Sequence, residues 1–135
     1  MPSCVIDTSA VFVDLQDEPG AAEARRWLRD AAISSVNLHE IVAKATEKGA
    51  TPNQARELIG KLRLSVHTHD AEAAVEAGLL RPTTKPKGLG LGDRACLGLA
   101  RRLGLPAVTA DAAWVELADA LGVEVVMVRK RPNDT

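Results

Sequence analysis

The sequence predicts an α/β fold, a central parallel sheet of about five strands with helices on both faces. Short β-rich runs alternate with longer segments of helical spacing, the pattern of parallel strands joined by helical crossovers. The β-rich runs are brief and uninterruptedly apolar, which suits strands covered on both sides. Glycine and proline fall where helices must start and stop.

The strands are read in order as Cys4-Val5-Ile6, Ala32-Ile33-Ser34, Leu64 to Val66, Ala107-Val108-Thr109 and Val123 to Val128. Helices are read over Ala21 to Asp30, Asn37 to Lys48, Thr51 to Arg63, Ala71 to Leu80, Asp93 to Leu103 and Asp111 to Leu121. Glu18-Pro19-Gly20 precedes the first helix and Thr51-Pro52 opens the third, while Gly49, Gly104 and Gly122 close others. The stretch Arg81 to Leu91, RPTTKPKGLGL, has no period of its own and reads as an exposed loop leading to the Asp93 helix.

A chain of 135 residues without repeats or linkers is expected to form a single domain, large enough for a core without disulfides or structural metal. Tyrosine is absent and phenylalanine occurs once, so Leu, Val and Ala must fill that core. A net charge of -1 excludes nucleic-acid binding by one large positive field but leaves local basic patches open. Neither a basic head with a long apolar run nor a membrane-length segment is present, and a cytoplasmic protein is expected. Cys4 and Cys96 lack metal-knot spacing and read as buried free thiols.

Four carboxylates fall at one edge of this fold. Asp7 follows the first strand in CVIDTSA, and Asp111 follows the fourth in LPAVTADAAW. Parallel strands direct their C-terminal ends to a common edge, where open sheets bind ligands. Glu40 lies in the first turn of the helix after the second strand, and Asp93 begins the helix before the fourth. If strands one and four are neighbours, all four acids can reach the same crevice. Each could instead serve a helix end: Asp7, Asp93 and Asp111 as N-caps, and Asn37-x-x-Glu40 as a capping box. Four carboxylates within a few ångströms repel one another, however, and a bound cation is the economical partner. Oxygen ligands without His or Cys select a hard ion, Mg²⁺ or Mn²⁺. The matching substrate is a phosphate ester, hydrolysed with a water whose pKa the ion lowers. In the Asp93 helix, Cys96, Leu97 and Ala100 continue the face of the acid, while Arg94 and Arg101 lie on another.

These residues resemble the PIN-domain ribonucleases, and within them the VapC toxins of bacterial toxin-antitoxin pairs. CVIDTSAVF, ISSVNLHEI, GLGLGDRACLGLARRLGLPAVTADAAW and EVVMV carry the resemblance nearly end to end, the third being the most specific. It implies a Rossmann-like α/β/α sandwich. Further implied are an acidic metal site of Asp7, Glu40, Asp93 and Asp111, with Thr8 or Ser9 and Thr109 orienting ligands or waters behind it. The activity implied is a Mg²⁺- or Mn²⁺-dependent endoribonuclease acting on tRNA, rRNA or mRNA, a homodimer silenced by a cognate antitoxin. Gly90 stands where many relatives have Ser, and His39 where a smaller or apolar residue is common.

Other signals carry less. His67-Thr68-His69-Asp70 reads as a strand end followed by an N-cap rather than a metal patch, and Trp114 as packing. Arg25-Arg26, Arg101-Arg102 and Arg129-Lys130-Arg131 read as solvated faces, whereas Lys85 and Lys87 stand where they could meet RNA phosphates on the way to Asp93. A phospho-receiver would need paired acids after strand one, and a dehalogenase-type phosphatase a second Asp at the position of Ser9. A non-catalytic binding or regulatory domain of the same fold, or a DNA-directed nuclease, remains as an alternative.

Overall fold

A computed structural model describes residues 1–129 of the chain. Its sheet has five parallel strands, β1 (Cys4–Ile6), β2 (Ala31–Ser34), β3 (Ser65–His67), β4 (Ala107–Thr109) and β5 (Val125–Met127), in the order β3-β2-β1-β4-β5. β1 is therefore central, and the chain reverses its direction of travel between β1 and β4, where Val5 pairs with Ala107 and Ile6 with Val108. That adjacency is the one the carboxylate argument required. The expected parallel α/β/α architecture is the one observed.

Helices α1 (Thr8–Leu15), α2 (Ala21–Leu28), α3 (Ser35–Glu47), α4 (Pro52–Leu62), α5 (Ala71–Gly78), α6 (Arg81–Thr84), α7 (Leu91–Leu103) and α8 (Ala118–Leu121) complete the layers, with 3₁₀ segments at Lys85–Lys87 and Ala112–Leu117. Alternation along β1 divides the core. Cys4 and Ile6 pack with Val11, Val13, Ala24 and Ile41 on one face, while Val5 packs with Cys96, Leu97, Ala100 and Trp114 on the other. Both cysteines are buried free thiols, and burial pushes Cys4 up to about 12.

Two segments differ from the sequence reading. α1 was not among the expected helices, because Val11, Phe12 and Val13 favour extended backbone by intrinsic preference. Burial of Ala10, Val11, Phe12 and Val13 outweighs that preference. Arg81 to Leu91 is not an open loop: it folds into α6 and the 3₁₀ turn and buries Thr84 and Leu89. Thr84 Oγ1 donates to the Leu80 carbonyl at 3.0 Å, so a prolyl and threonyl stretch closes on itself locally. The last expected helix begins as the 3₁₀ segment and becomes α-helical only at Ala118.

The helix ends follow their sequence signals. Thr51 and Gln54 form a reciprocal capping box, and Asp70 caps α5 by accepting from the Ala73 N–H at 2.9 Å. Of the basic cluster at the C-terminus, Lys130 and Arg131 lie outside the described residues.

Candidate active site

Asp7 leaves β1 at the C-terminal edge of the sheet and occupies the N-cap position of α1, yet its side chain does not cap that helix. Its Oδ2 instead accepts from Ser9 Oγ at 2.6 Å and from Thr109 Oγ1 at 3.0 Å. The same hydroxyls accept from the backbone, Ser9 from the Ala110 N–H at 3.0 Å and Thr109 from the Asp111 N–H at 3.1 Å. The end of β1 is thereby tied to the end of β4. Only 4% of Asp7 is exposed, and among the described residues its Oδ1 has no protein donor.

Glu40 is held from two sides. Thr8 Oγ1 and Asn37 Nδ2 each donate to its Oε1 at 2.8 Å, and Asn37 Nδ2 also lies 3.0 Å from the Gly92 carbonyl of α7. Asn37 is therefore not the cap the sequence suggested. Ser34 caps α3, accepting from the Val36 N–H at 3.2 Å, and fully buried Asn37 stitches α3 to α7. Gly92 also leaves room for the Glu40 carboxylate, since a Cβ there would lie 2.3 Å from Glu40 Oε2.

Asp93 is the third residue of α7 rather than its cap, because the helix begins at Leu91. Its Oδ2 accepts from the Gly90 N–H at 2.8 Å, but Gly90 has no side chain with which to reciprocate. Asp111 stands at the rim, exposed, its Oδ1 accepting from the Ala113 N–H at 3.0 Å. The N-cap reading thus holds for Asp111 and fails for Asp7, whose geometry serves something else.

The electrostatics tie these acids together. Burial pushes the Asp7 carboxyl up to about 6; its hydroxyl donors oppose the rise, and Asp93 and Glu40 reinforce it. Asp93 is also raised, first by burial and then by Asp111 and Glu40, against the Gly90 N–H and Arg94. Asp7, Glu40 and Asp93 line one groove of about 410 Å³, and Glu40 and Asp93 line a second of about 590 Å³ beside His39 and His69. Glu40 and Asp93 are common to both grooves, Asp7 lines one of them, and Asp111 lines neither.

Such a set suits a hard divalent cation by donor type, since every candidate ligand is a carboxylate oxygen, and burial and neighbouring acids resist the charge of Asp7 and Asp93. Among the described residues, no three His, Cys, Asp or Glu side chains stand close enough together to enclose an ion by themselves. Mg²⁺ does not ask for that, because it is commonly held through one or two carboxylates and retains several waters.

Of the remaining candidates, Lys85 and Lys87 fall in the 3₁₀ turn, Lys87 ion-paired with Glu116, and neither lines the two grooves. Arg94 is buried and donates from Nη1 to the Leu89 carbonyl at 3.0 Å, so it supports the approach to α7. Trp114 is fully buried, as packing requires. Sequence reasoning missed Asn37 as a positioning group and missed Lys44, which lines the Asp7 groove one helical turn beyond Glu40. The i to i+4 spacing from Glu40 was the available signal.

No curated protein matches the chain in sequence. Among solved structures, a toxin-antitoxin complex from Klebsiella pneumoniae contains a chain similar to this one, with a TM-score of 0.73 at 21% identity over 96% of this chain and 100% of that one. DNA-bound VapBC from Salmonella typhimurium gives a TM-score of 0.71 at 24% identity over 95% and 99%. VapBC-1 from nontypeable Haemophilus influenzae gives 0.68 at 18% over 93% and 98%. At these identities the likeness shows the fold. The family model of the PIN domain matches residues 4–120, a span that takes in Asp7, Asn37, Glu40, Asp93 and Asp111, and the protein belongs to the PIN-domain family.

Proposed function

We propose that the protein is a Mg²⁺- or Mn²⁺-dependent endoribonuclease, the toxin of a toxin-antitoxin pair. The observation that carries this reading is Asp7: a buried carboxylate at the end of the central strand, raised by burial and by its acidic neighbours, with one oxygen held by hydroxyls. A purely structural Asp would gain by capping α1, and this one does not.

Asp7 and Asp93 would hold the cation, with Glu40 positioned by Thr8 and Asn37 to hold one of its waters and Asp111 adding negative charge beside Asp93. When bound, the ion supplies charge neutralisation at the scissile phosphate and a lowered pKa for an attacking water. Ser9 and Thr109 keep Asp7 Oδ2 in place, leaving Oδ1 toward the ligand. Lys85 and Lys87, in the turn leading to α7, would meet the RNA backbone outside the grooves. An antitoxin partner is supported by the similar chains being parts of toxin-antitoxin complexes. Val75 and Leu79, one turn apart and largely exposed, are suited to pairing in a homodimer.

The test is cleavage of end-labelled total tRNA and rRNA by the protein freed of any antitoxin, with Mg²⁺, Mn²⁺ or EDTA. Discrete cuts are expected only with metal, and Asp7→Asn or Asp93→Asn should reduce them by at least about 10²-fold while the circular dichroism spectrum is unchanged. RNA left whole in every metal would sink the nuclease reading.

A further inference from the structure

The two grooves that meet at the carboxylates are poor in positive charge. Asp7, Glu40, Glu47 and Asp93 line one of them, Glu40 and Asp93 the other, and among the described residues Lys44 is the only Lys or Arg lining either. A polyanion entering here meets carboxylates in both grooves. Even with the acids neutralised where the chain is cut, the flanking phosphate needs a counter-charge.

Lys44 is placed to supply one. It follows Glu40 by four residues on α3, so both side chains occupy the same face of the helix. Its Nζ rests over the Phe12 ring, 4.8 Å from the centroid, and no carboxylate pairs with it among the described residues. Phe12 is 5% exposed, which makes the ring a fixed seat, whereas Lys44 itself is exposed. An ammonium parked on an aromatic face at an exposed site is weakly held. On its four-carbon stem it can exchange that seat for a phosphate oxygen at little cost.

We infer that Lys44 is a substrate-binding residue that grips the phosphate flanking the cleaved one, so that the RNA strand runs from the acids along α3 toward Phe12. The inference rests on the nuclease reading for its substrate. It assigns to α3 two functions one turn apart, Glu40 at the metal-facing position and Lys44 at the backbone-facing one.

Binding of a fluorescently labelled, mixed-sequence single-stranded RNA tests it, with the full-length protein carrying Asp93→Asn to prevent cutting and Mg²⁺ present throughout. Anisotropy is followed across a series of KCl concentrations for that protein and for the same protein with Lys44→Ala, Lys44→Arg or, as a control for bulk charge, Lys61→Ala. Lys44→Ala should weaken binding about three- to tenfold and make the slope of log Kd against log salt shallower by about 0.7, one phosphate contact on a single strand. Lys44→Arg should restore both, and Lys61→Ala should change neither. Weakened binding with an unaltered slope would overturn the proposal, since it would mean that Lys44 acts only by covering Phe12. Absence of RNA binding by every variant would overturn the inference together with the nuclease reading. A slope change in Lys44→Ala beside a wild-type protein that cuts no RNA would remove the nuclease reading alone and leave Lys44 as an RNA contact.

Discussion

At neutral pH the Asp7 carboxyl is under opposing influences: two hydroxyls favour its charge, while burial and the neighbouring acids resist it with greater effect. Its folded-state pKa of about 6 lies above the ordinary value of 3.8, so the folded state binds the proton more tightly than the unfolded chain does. The corresponding stability is fully present below about pH 4 and is lost as pH rises through about 6. Asp7→Asn removes the titration while keeping an oxygen to accept from Ser9 and Thr109. In EDTA the variant should therefore be more stable than the wild type by roughly 3 kcal/mol at pH 7.5, the difference shrinking toward zero near pH 4. Chemical denaturation at both pH values checks this, and a difference of equal size at each would contradict it. The position of Asp7 behind a strand was legible in the sequence. Its raised pKa was not, because that depends on Glu40 and Asp93 arriving from elements far away in the chain.

At the scale of elements, the site depends on how closely α3 and α7 approach. Asn37 bridges Glu40 to the Gly92 carbonyl, and Gly92 leaves room for the Glu40 carboxylate. Gly92→Ala sets two effects against each other: better helix propensity, worth about 1 kcal/mol, and a Cβ inside contact distance of a side chain pinned by two hydrogen bonds. Glu40 can yield by rotating away from Thr8 and Asn37. The variant is therefore expected to stay folded, with a melting temperature within a few degrees of the wild type, and to lose at least about tenfold in RNA cleavage. A melting scan and a cleavage assay on the same preparation decide the matter; a folded variant with full activity would show that the position of Glu40 is immaterial. α3 and α7 were both visible as periodic segments, since their Ala, Leu, Ile and Val spacing is strong. α1 and α6 were not, because Val11-Phe12-Val13 resembles a strand and Pro82 and Pro86 resemble a loop.

Over the whole molecule, the sheet order gathers the acids. β1 and β4 are neighbours at the point where the chain reverses direction, so Asp7 and Asp111 emerge side by side although 104 positions separate their numbers. Edge placement concentrates negative charge that folding must tolerate, and a divalent ion binding only the folded state should relieve it. Mn²⁺ or Mg²⁺ at ten times its Kd is expected to stabilise the protein at pH 7.5 by about 1.4 kcal/mol, a rise of a few degrees in melting temperature. EDTA should reverse the rise, and Asp7→Asn/Asp93→Asn should abolish it. An equal rise in the double variant would place the ion elsewhere.

Local chemistry in the sequence determined the helix caps at Thr51 and Asp70, the parallel strands and the four acids as candidates for one edge, because turn signals, apolar period and strand-end position act over a few residues. Only the tertiary structure decided that Asp7 is buried and held by Ser9 and Thr109, that Asn37 orients Glu40 instead of capping a helix, and that Lys44 is the only Lys or Arg among the described residues to line the grooves. Each of those depends on side chains from different elements meeting at the sheet edge, and their distances are set by how α1, α3 and α7 pack on β1 and β4, which no local pattern encodes.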